Sequence, residues 1–240
     1  MGSEGVLIRP QITHVIFDMD GLLLDTEKYC TEAQKIILAR YNKAFDWSVK
    51  VKMLGKKAIE AATVFVEETG LADKLTPEGY LVERESMLRQ MFLNTETMPG
   101  AFRLVKHLYK NGVPICVATG SHKSHFELKT KRHAEMFSLM HHVVLVDDPE
   151  VKQGKPAPDI FLIAAKRFEN GPINPSKILV FEDAPAGVGA AKSAGMSVVM
   201  VPDPRLDLSY SEGADQVISS LLDFKPSEWG LPDFYDGENY

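Results

Sequence analysis

The sequence predicts an α/β protein, a doubly wound parallel sheet with a small helical unit inserted after its first strand. Three observations predict it. Short apolar runs each stop at or just before an acidic, hydroxyl or proline residue, helical patterns fill the intervals between them, and the stretch 28–96 shows helical patterns with no buried strand. Strands covered by helices on both faces read as near-continuous apolar runs, and strand–helix alternation builds a parallel sheet.

Taken in order, residues 1–11 read as a loose arm, and His14-Val15-Ile16-Phe17 is a first strand that stops at Asp18. Helical segments follow at 31–41, 57–69 and 78–91, interrupted by Gly55 and Gly70, with Pro77 suited to the first turn of the third. Met98-Pro99-Gly100 marks the return to the sheet. A helix over 101–110 carries Phe102, Val105, Leu108 and Tyr109 at helical spacing, and Asn111-Gly112 stops it. The run Pro114–Ala118 precedes Thr119-Gly120-Ser121, and His142–Val146 precedes Asp147-Asp148. A helix over 159–168 places Ile160, Ile163, Ala164 and Phe168 on one side. Lys177–Phe181 then precedes Glu182-Asp183, an Ala- and Gly-rich helix over 186–194 can pack close to the sheet, and Ser197–Val201 ends before Pro202. The expected division is a core of 12–27 and 97–234, a helical unit of 28–96, and loose termini at 1–11 and 235–240.

Composition sets outer bounds. The chain has 240 residues, 45% hydrophobic and 25% charged, which suits one sizeable α/β domain with an insert. A net charge of −6 argues against a broad nucleic-acid footprint, which needs a basic face. Cys30 and Cys116 are too few for a disulfide scaffold, lack metal-ligand spacing, and read as reduced thiols. No stretch approaches a membrane span, and the N-terminus lacks the apolar core of a signal peptide. The expectation is a cytoplasmic monomer with no nucleic-acid or membrane partner.

In open α/β sheets, ligands bind beyond the carboxyl ends of the strands. Asp18, Thr119 and the pair Glu182-Asp183 all stand there, and Lys155 lies in a loop that can reach the same crevice. Such a set suits a divalent cation and a phosphate. Asp18 and Asp20 alternate along an extended chain and so can face one reacting group, with Gly21 permitting a sharp exit. An acidic strand-to-loop turn accounts equally well for an isolated D-x-D-G. A calcium-binding EF-hand loop is excluded, because Leu22 and Leu23 stand where it needs an oxygen ligand and a glycine. His141-His142 reads as strand-edge filling and Arg132-His133 as a solvated helix face. Leu54-Gly55-Lys56-Lys57 is either a loop facing the crevice or a solvated basic turn.

Asp18-Met19-Asp20-Gly21-Leu22-Leu23-Leu24-Asp25-Thr26 resembles the first motif of the haloacid dehalogenase-like phosphatases. Ala118-Thr119-Gly120-Ser121 resembles the second, Gly154-Lys155-Pro156-Ala157-Pro158-Asp159 the third, and Phe181-Glu182-Asp183-Ala184-Pro185-Ala186-Gly187 the fourth. The helical unit resembles the family's small cap. The resemblance implies that Asp18 is the nucleophile and that Asp20 is the acid and base. Thr119, Gly120, Ser121 and Lys155 then hold the phosphate, and Mg²⁺ sits on Asp18, Asp20 through its carbonyl, and Asp183, with Glu182 as a supporting or alternate ligand. Gly55 and Lys56 are the cap residues expected at the substrate. Asp20 favours phosphoester chemistry, since dehalogenases of this fold lack the second acid.

From about Thr13 to Phe234 the chain also resembles a narrower group that holds plant glycerol-3-phosphatases and animal pseudouridine-5'-phosphatase. It does so through Lys129-Thr130-Lys131-Arg132-His133, Asp147-Asp148-Pro149-Glu150-Val151 and Trp229-Gly230-Leu231-Pro232. Gly55-Lys56-Lys57-Ala58 leans to the plant side. The implied substrate is a small phosphate monoester, glycerol 3-phosphate first and a nucleoside or sugar phosphate second. A sugar-phosphate mutase and a non-catalytic phosphate-binding module are the more distant alternatives.

Overall fold

The structure, a computed structural model, describes residues 11–169 and 173–234. The termini expected to be loose, apart from Gln11, lie outside the described residues.

Six parallel strands form one sheet in the order β3-β2-β1-β4-β5-β6. They are β1 (His14–Phe17), β2 (Ile115–Thr119), β3 (Val143–Leu145), β4 (Ile178–Glu182), β5 (Ser197–Met200) and the short edge strand β6 (Gln216–Val217). β1 is central. It pairs with β2 through Val15 and Ile115, and with β4 through Val15 and Leu179. Side chains alternate between the two faces, as the strand period requires. Val15, Phe17, Val117, Leu179 and Phe181 enter one apolar layer, where Phe17 stacks on Phe181 at 5.2 Å and Phe181 meets Phe224 edge-on at 4.8 Å. Ile16, Cys116, Ala118, Val180 and Val198 enter the other. This double burial is why the strands read as unbroken apolar runs.

Helix α5 (Ala101–Lys110) covers the first face, burying Leu104, Val105 and Leu108, while Tyr109 is exposed despite its helical spacing. α8 (Asp159–Arg167) and α9 (Pro185–Ser193) cover the second face with Ile160, Phe161, Ala164, Val188 and Ala191.

α1 (Glu27–Ala39), α2 (Trp47–Met53), α3 (Ala58–Glu68) and α4 (Pro77–Met91) pack on one another around Ile37, Val49, Phe65 and Tyr80. Phe65 and Tyr80 stack at 4.1 Å. α1 starts at Glu27, earlier than the periodicity indicates. The chain leaves the sheet and returns along adjacent paths, with Asp25 N–H donating to Glu96 O at 2.9 Å and Met98 N–H to Leu23 O at 2.9 Å.

The structure adds elements that the sequence reading missed. The side chain of Asp46 accepts from Ser48 N–H and starts α2, an ordinary N-cap. α6 (Lys123–Thr130) and α7 (Ala134–Ser138) fill the β2–β3 interval. Arg132 and His133 therefore lie on the turn between these two helices and not on a helix face, and His133 Nε2 sits 2.7 Å from Thr95 O.

His142 fills the edge of β3 as its position suggests. Its ring packs on Phe168 at 4.9 Å, and Nε2 lies 3.0 Å from Ala164 O. Burial, then the neighbouring His141, push its pKa from 6.5 down to about 4. The unfolded chain then binds the proton first, so stability is complete above pH 6.5 and declines as pH falls towards 4. His142→Gln is expected to lose thermal midpoint less steeply than the parent over that interval. Parallel slopes in a pH-resolved melting series would remove His142 from the account.

Candidate active site

β1, β2 and β4 end side by side, and the crevice forms beyond their carboxyl ends. Asp18 follows β1 directly, and its N–H is held by Phe181 O at 2.9 Å. Lys155, from the loop before α8, reaches across and donates to Asp18 Oδ1 at 2.5 Å, Glu182 Oε1 at 2.6 Å and Ala118 O at 3.1 Å. Its three N–H bonds are thus all used. Glu182 is almost fully buried, and its other oxygen accepts from the Asp183 and Ala184 N–H groups at 3.2 and 3.4 Å.

Asp20 has a different environment. Its Oδ1 accepts from Lys129 Nζ at 2.7 Å and Thr26 Oγ1 at 2.7 Å, and its Oδ2 from Ser121 Oγ at 2.7 Å and Thr119 Oγ1 at 3.4 Å. Lys129 also donates to Ser121 Oγ at 2.8 Å, and lies 4.4 Å from the centre of the Phe92 ring.

The two aspartates therefore titrate in opposite directions. Burial raises the Asp18 carboxyl to about 7; Lys155 opposes this, while the charges of Glu182 and Asp20 add to it. Burial also pushes Asp20 upward, but Lys129 and the bonds from Ser121 and Thr26 outweigh it and hold the carboxyl below its ordinary range. Asp183 is driven well above its usual range by burial and then by Asp18 and Glu182. Among the described residues its carboxylate makes no hydrogen bond or ion pair. Ligand oxygens of Asp18, Glu182 and Asp183 lie within 4.8 Å of one another.

The crevice continues into two lobes that share Asp20, Glu27 and Gly120. The first, about 280 Å³, runs from Asp18, Lys155 and Asp183 to Trp47, Lys50 and Leu54 on the helical unit. The second, about 230 Å³, runs from Ser121 and Lys129 to Cys30, Arg84 and His125. Lys50 is buried and pairs with Glu27 at 2.8 Å, while Arg205, beyond β5, lies 4.0 Å over the Trp47 ring.

The fold gathers Asp18, Asp20, Thr119, Gly120, Ser121, Lys155, Glu182 and Asp183 at this one place. Ser121 and Thr119 spend their hydroxyls on Asp20. Of the 54–57 loop, Leu54 lines the first lobe, whereas Gly55 and Lys56 are exposed and line neither lobe. Lys129, Glu27, Lys50 and Arg84 went unrecognised as site residues from sequence. The Lys129 segment carried resemblance only, and no local pattern marks any of the four as facing a crevice.

A profile of haloacid dehalogenase-like hydrolases matches residues 12–195. (DL)-glycerol-3-phosphatase 2 of Arabidopsis thaliana is 68% identical over 228 residues, covering 95% of each chain. A Drosophila melanogaster protein named "Probable pseudouridine-5'-phosphatase" is 48% identical over 227 residues, covering 94% of this chain and 97% of its own. Among solved structures, a hydrolase of the same family from Deinococcus radiodurans, with bound phosphate and sodium, aligns at a TM-score of 0.75. It covers 93% of this chain and 99% of its own at 22% identity, a likeness of fold.

Gly187, in the first turn of α9, leaves room for Glu182. A Cβ there would stand 1.9 Å from Glu182 Oε1, so Gly187→Ala must dislodge a carboxylate that holds Lys155. The expected cost is about 1–3 kcal/mol in unfolding free energy for the buried groups left unpaired. A denaturant midpoint equal to the parent's would show that Glu182 finds its partners elsewhere.

Proposed function

The chain belongs to the haloacid dehalogenase-like hydrolase family as a phosphatase, and on that premise we propose that it hydrolyses glycerol 3-phosphate through an aspartyl-phosphate on Asp18. The substrate rests on one observation, the 68% identity to an Arabidopsis glycerol-3-phosphatase across nearly the whole of both chains. The 48% identity to the Drosophila relative supports pseudouridine 5'-phosphate as the second reading.

The roles of the two aspartates follow from their places in the first family motif, and a cation bound beside Asp18 would favour its charged, nucleophilic form. Asp18 attacks phosphorus in line with the leaving oxygen; the new Oδ–P bond forms as the P–O bond to the alcohol breaks. Lys155 lies against the Asp18 carboxylate and offsets charge on the transferring phosphoryl, whose transition state spreads negative charge over its equatorial oxygens. Thr119 and the backbone N–H groups of Gly120 and Ser121 are the candidate phosphate donors, Thr119 Oγ1 turning from Asp20 and Ser121 N–H from its 3.1 Å bond to Thr119 Oγ1 when phosphate arrives.

Asp20 hands a proton to the departing alcohol and later takes one from the water that opens the aspartyl-phosphate. Four donors favour its charged form, and an arriving dianionic phosphate raises its pKa again by like-charge repulsion, so the group can cycle.

A divalent cation fits the donor set. Asp183, without a side-chain partner among the described residues, stands beside two other carboxylates, all hard oxygen donors suited to Mg²⁺. A side chain at Gly21 would come within 2.2 Å of Asp183 Oδ2, so this loop must carry glycine for Asp183 to hold its place. Asp18, Asp183 and the Asp20 carbonyl are the proposed ligands, with Glu182 committed to Lys155 and the two backbone N–H groups. When bound, the cation supplies positive charge to the phosphoryl oxygens.

Lys50 and Leu54 are in position to meet substrate from the cap, and Gly55 and Lys56 would do so only from their exposed places. The reading places the enzyme in the cytoplasm with its two cysteines reduced, as a monomer acting on a small ester and needing no nucleic-acid or membrane partner. Among the described residues no helix is long and apolar enough to cross a membrane.

With Mg²⁺, phosphate release across a panel of monoesters is expected to show its highest kcat/KM on glycerol 3-phosphate. A lead for pseudouridine 5'-phosphate would replace the substrate and keep the chemistry. Asp18→Asn is expected to abolish turnover with the fold intact, and Asp20→Asn to lower kcat by about 10²- to 10⁴-fold. Substantial turnover by the Asp18 variant would end the covalent route. Chelation is expected to stop release and added Mg²⁺ to restore it; activity that survives chelation would remove the metal role of Asp183.

A further inference from the structure

We propose that Arg84 selects the alcohol half of the substrate, donating hydrogen bonds to the hydroxyls of a short polyol ester in the second lobe. The proposal rests on the glycerol 3-phosphate reading and names the residue that would enforce it.

Arg84, on α4, lines the second lobe together with Asp20, Ser121 and Lys129. Its one hydrogen bond among the described residues runs from Nη2 to the Cys30 sulfur at 3.3 Å, and a thiol is a weak acceptor. Its Nε is buried and has no partner among the described residues. A guanidinium carries five N–H donors and is normally matched to a carboxylate where it is buried. Here the neighbouring carboxylates are engaged elsewhere. Asp20 is held by Lys129, Glu27 by Lys50 at 2.8 Å, and Glu85 by both His125 and Arg89 at 2.8 and 2.9 Å. Arg84 is thus a half-buried cation with donors to spare, lining a cavity.

What fills the cavity follows from Asp20. The leaving oxygen receives its proton from Asp20, so the alcohol begins at the wall that both lobes share. The phosphoryl group lies towards Asp18 and Lys155 in the first lobe. Of the two lobes open from that wall, the second is the one assigned to the carbon chain, because Leu88 and Phe92 offer it apolar surface and Arg84 lines it beside them, while Lys50 and Leu54 close the first lobe over the phosphoryl end.

The lobe is of mixed charge, with Asp20 and Glu27 beside Arg84 and Lys129, so it offers an anion no uniformly positive surface. A hydroxyl suits both kinds of neighbour, accepting from the guanidinium and donating to a carboxylate. The lobe is accordingly built for a neutral polyol.

The test compares glycerol 3-phosphate with propyl phosphate, which has the same three carbons and no free hydroxyl. It uses the full chain with Mg²⁺, as parent, Arg84→Met and Arg84→Lys. The parent is expected to favour glycerol 3-phosphate in kcat/KM. Arg84→Met should cut that preference by about tenfold to a hundredfold, the range for a lost hydrogen bond to a charged group. Arg84→Lys should recover part of it. A structural role for Arg84 would lower both substrates together and leave the ratio unchanged, which overturns the proposal while the substrate reading stands. A parent that turns over both esters with equal kcat/KM overturns the substrate reading and the proposal with it.

Discussion

The arrangement depends on a charge balance at the carboxyl ends of three adjacent strands. Four carboxylates, Asp18, Asp20, Glu182 and Asp183, converge there on two ammonium groups, Lys155 and Lys129. Removing charges from water costs several kcal/mol per ion unless each is paired and hydrogen-bonded. Lys155 meets that condition with three acceptors and Asp20 meets it with four donors. Asp183 does not, and its pKa moves well up. The deficit of positive charge falls where a cation is called for, and beside it burial first, then the charges of Glu182 and Asp20, carry the Asp18 carboxyl to about 7.

Position on the sheet decides which carboxylate receives which treatment. Asp18, directly after β1, faces the β4 end and shares Lys155 with Glu182. Asp20, two residues on, faces the β2 end, where Thr119, Ser121 and Lys129 all donate to it. Two like residues in one loop thereby acquire pKa values displaced in opposite directions, upward for Asp18 and downward for Asp20; a cation beside Asp18 and a phosphate dianion beside Asp20 would each draw its group back the other way. Glycine at 21 and 187 is part of the same design, since a Cβ at either would enter the carboxylate it faces.

Much of this was legible in the sequence because its causes are local. Strands buried on both faces must be apolar throughout, so β1, β2, β4 and β5 stood out, and strand ends locate the crevice whatever the family. Hence Asp18, Thr119, Glu182 and Asp183 could be named, with Lys155 from the loop beside them. Lys129 was not, because a lysine on a polar helix reads as solvated; only the packing of α6 against Phe92 and Asp20 buries it. α6 itself was lost for the same reason, having too little apolar periodicity to announce a helix. α2 was a different failure, since Asp46 two residues before Ser48 is a cap signal that stands in the sequence. Lys50, Glu27 and Arg84 gain their meaning from how the helical unit sits over the sheet, and no spacing along the chain encodes that placement.

Chemistry and selection thus come from different parts of the chain. The reacting groups are fixed to the sheet, where β1 is paired on both sides and little can shift. The groups proposed to meet the alcohol stand on helices joined to the sheet by two adjacent backbone paths near Leu24 and Thr97. Substitutions on the helices can therefore reshape the lobes without moving Asp18 or Lys155. Asp20 is the exception, because it lines both lobes and is the group proposed to protonate the leaving oxygen. An alcohol that seats badly in the second lobe also presents its oxygen badly to Asp20, so selection made on the helices is felt in the chemical step and not in binding alone.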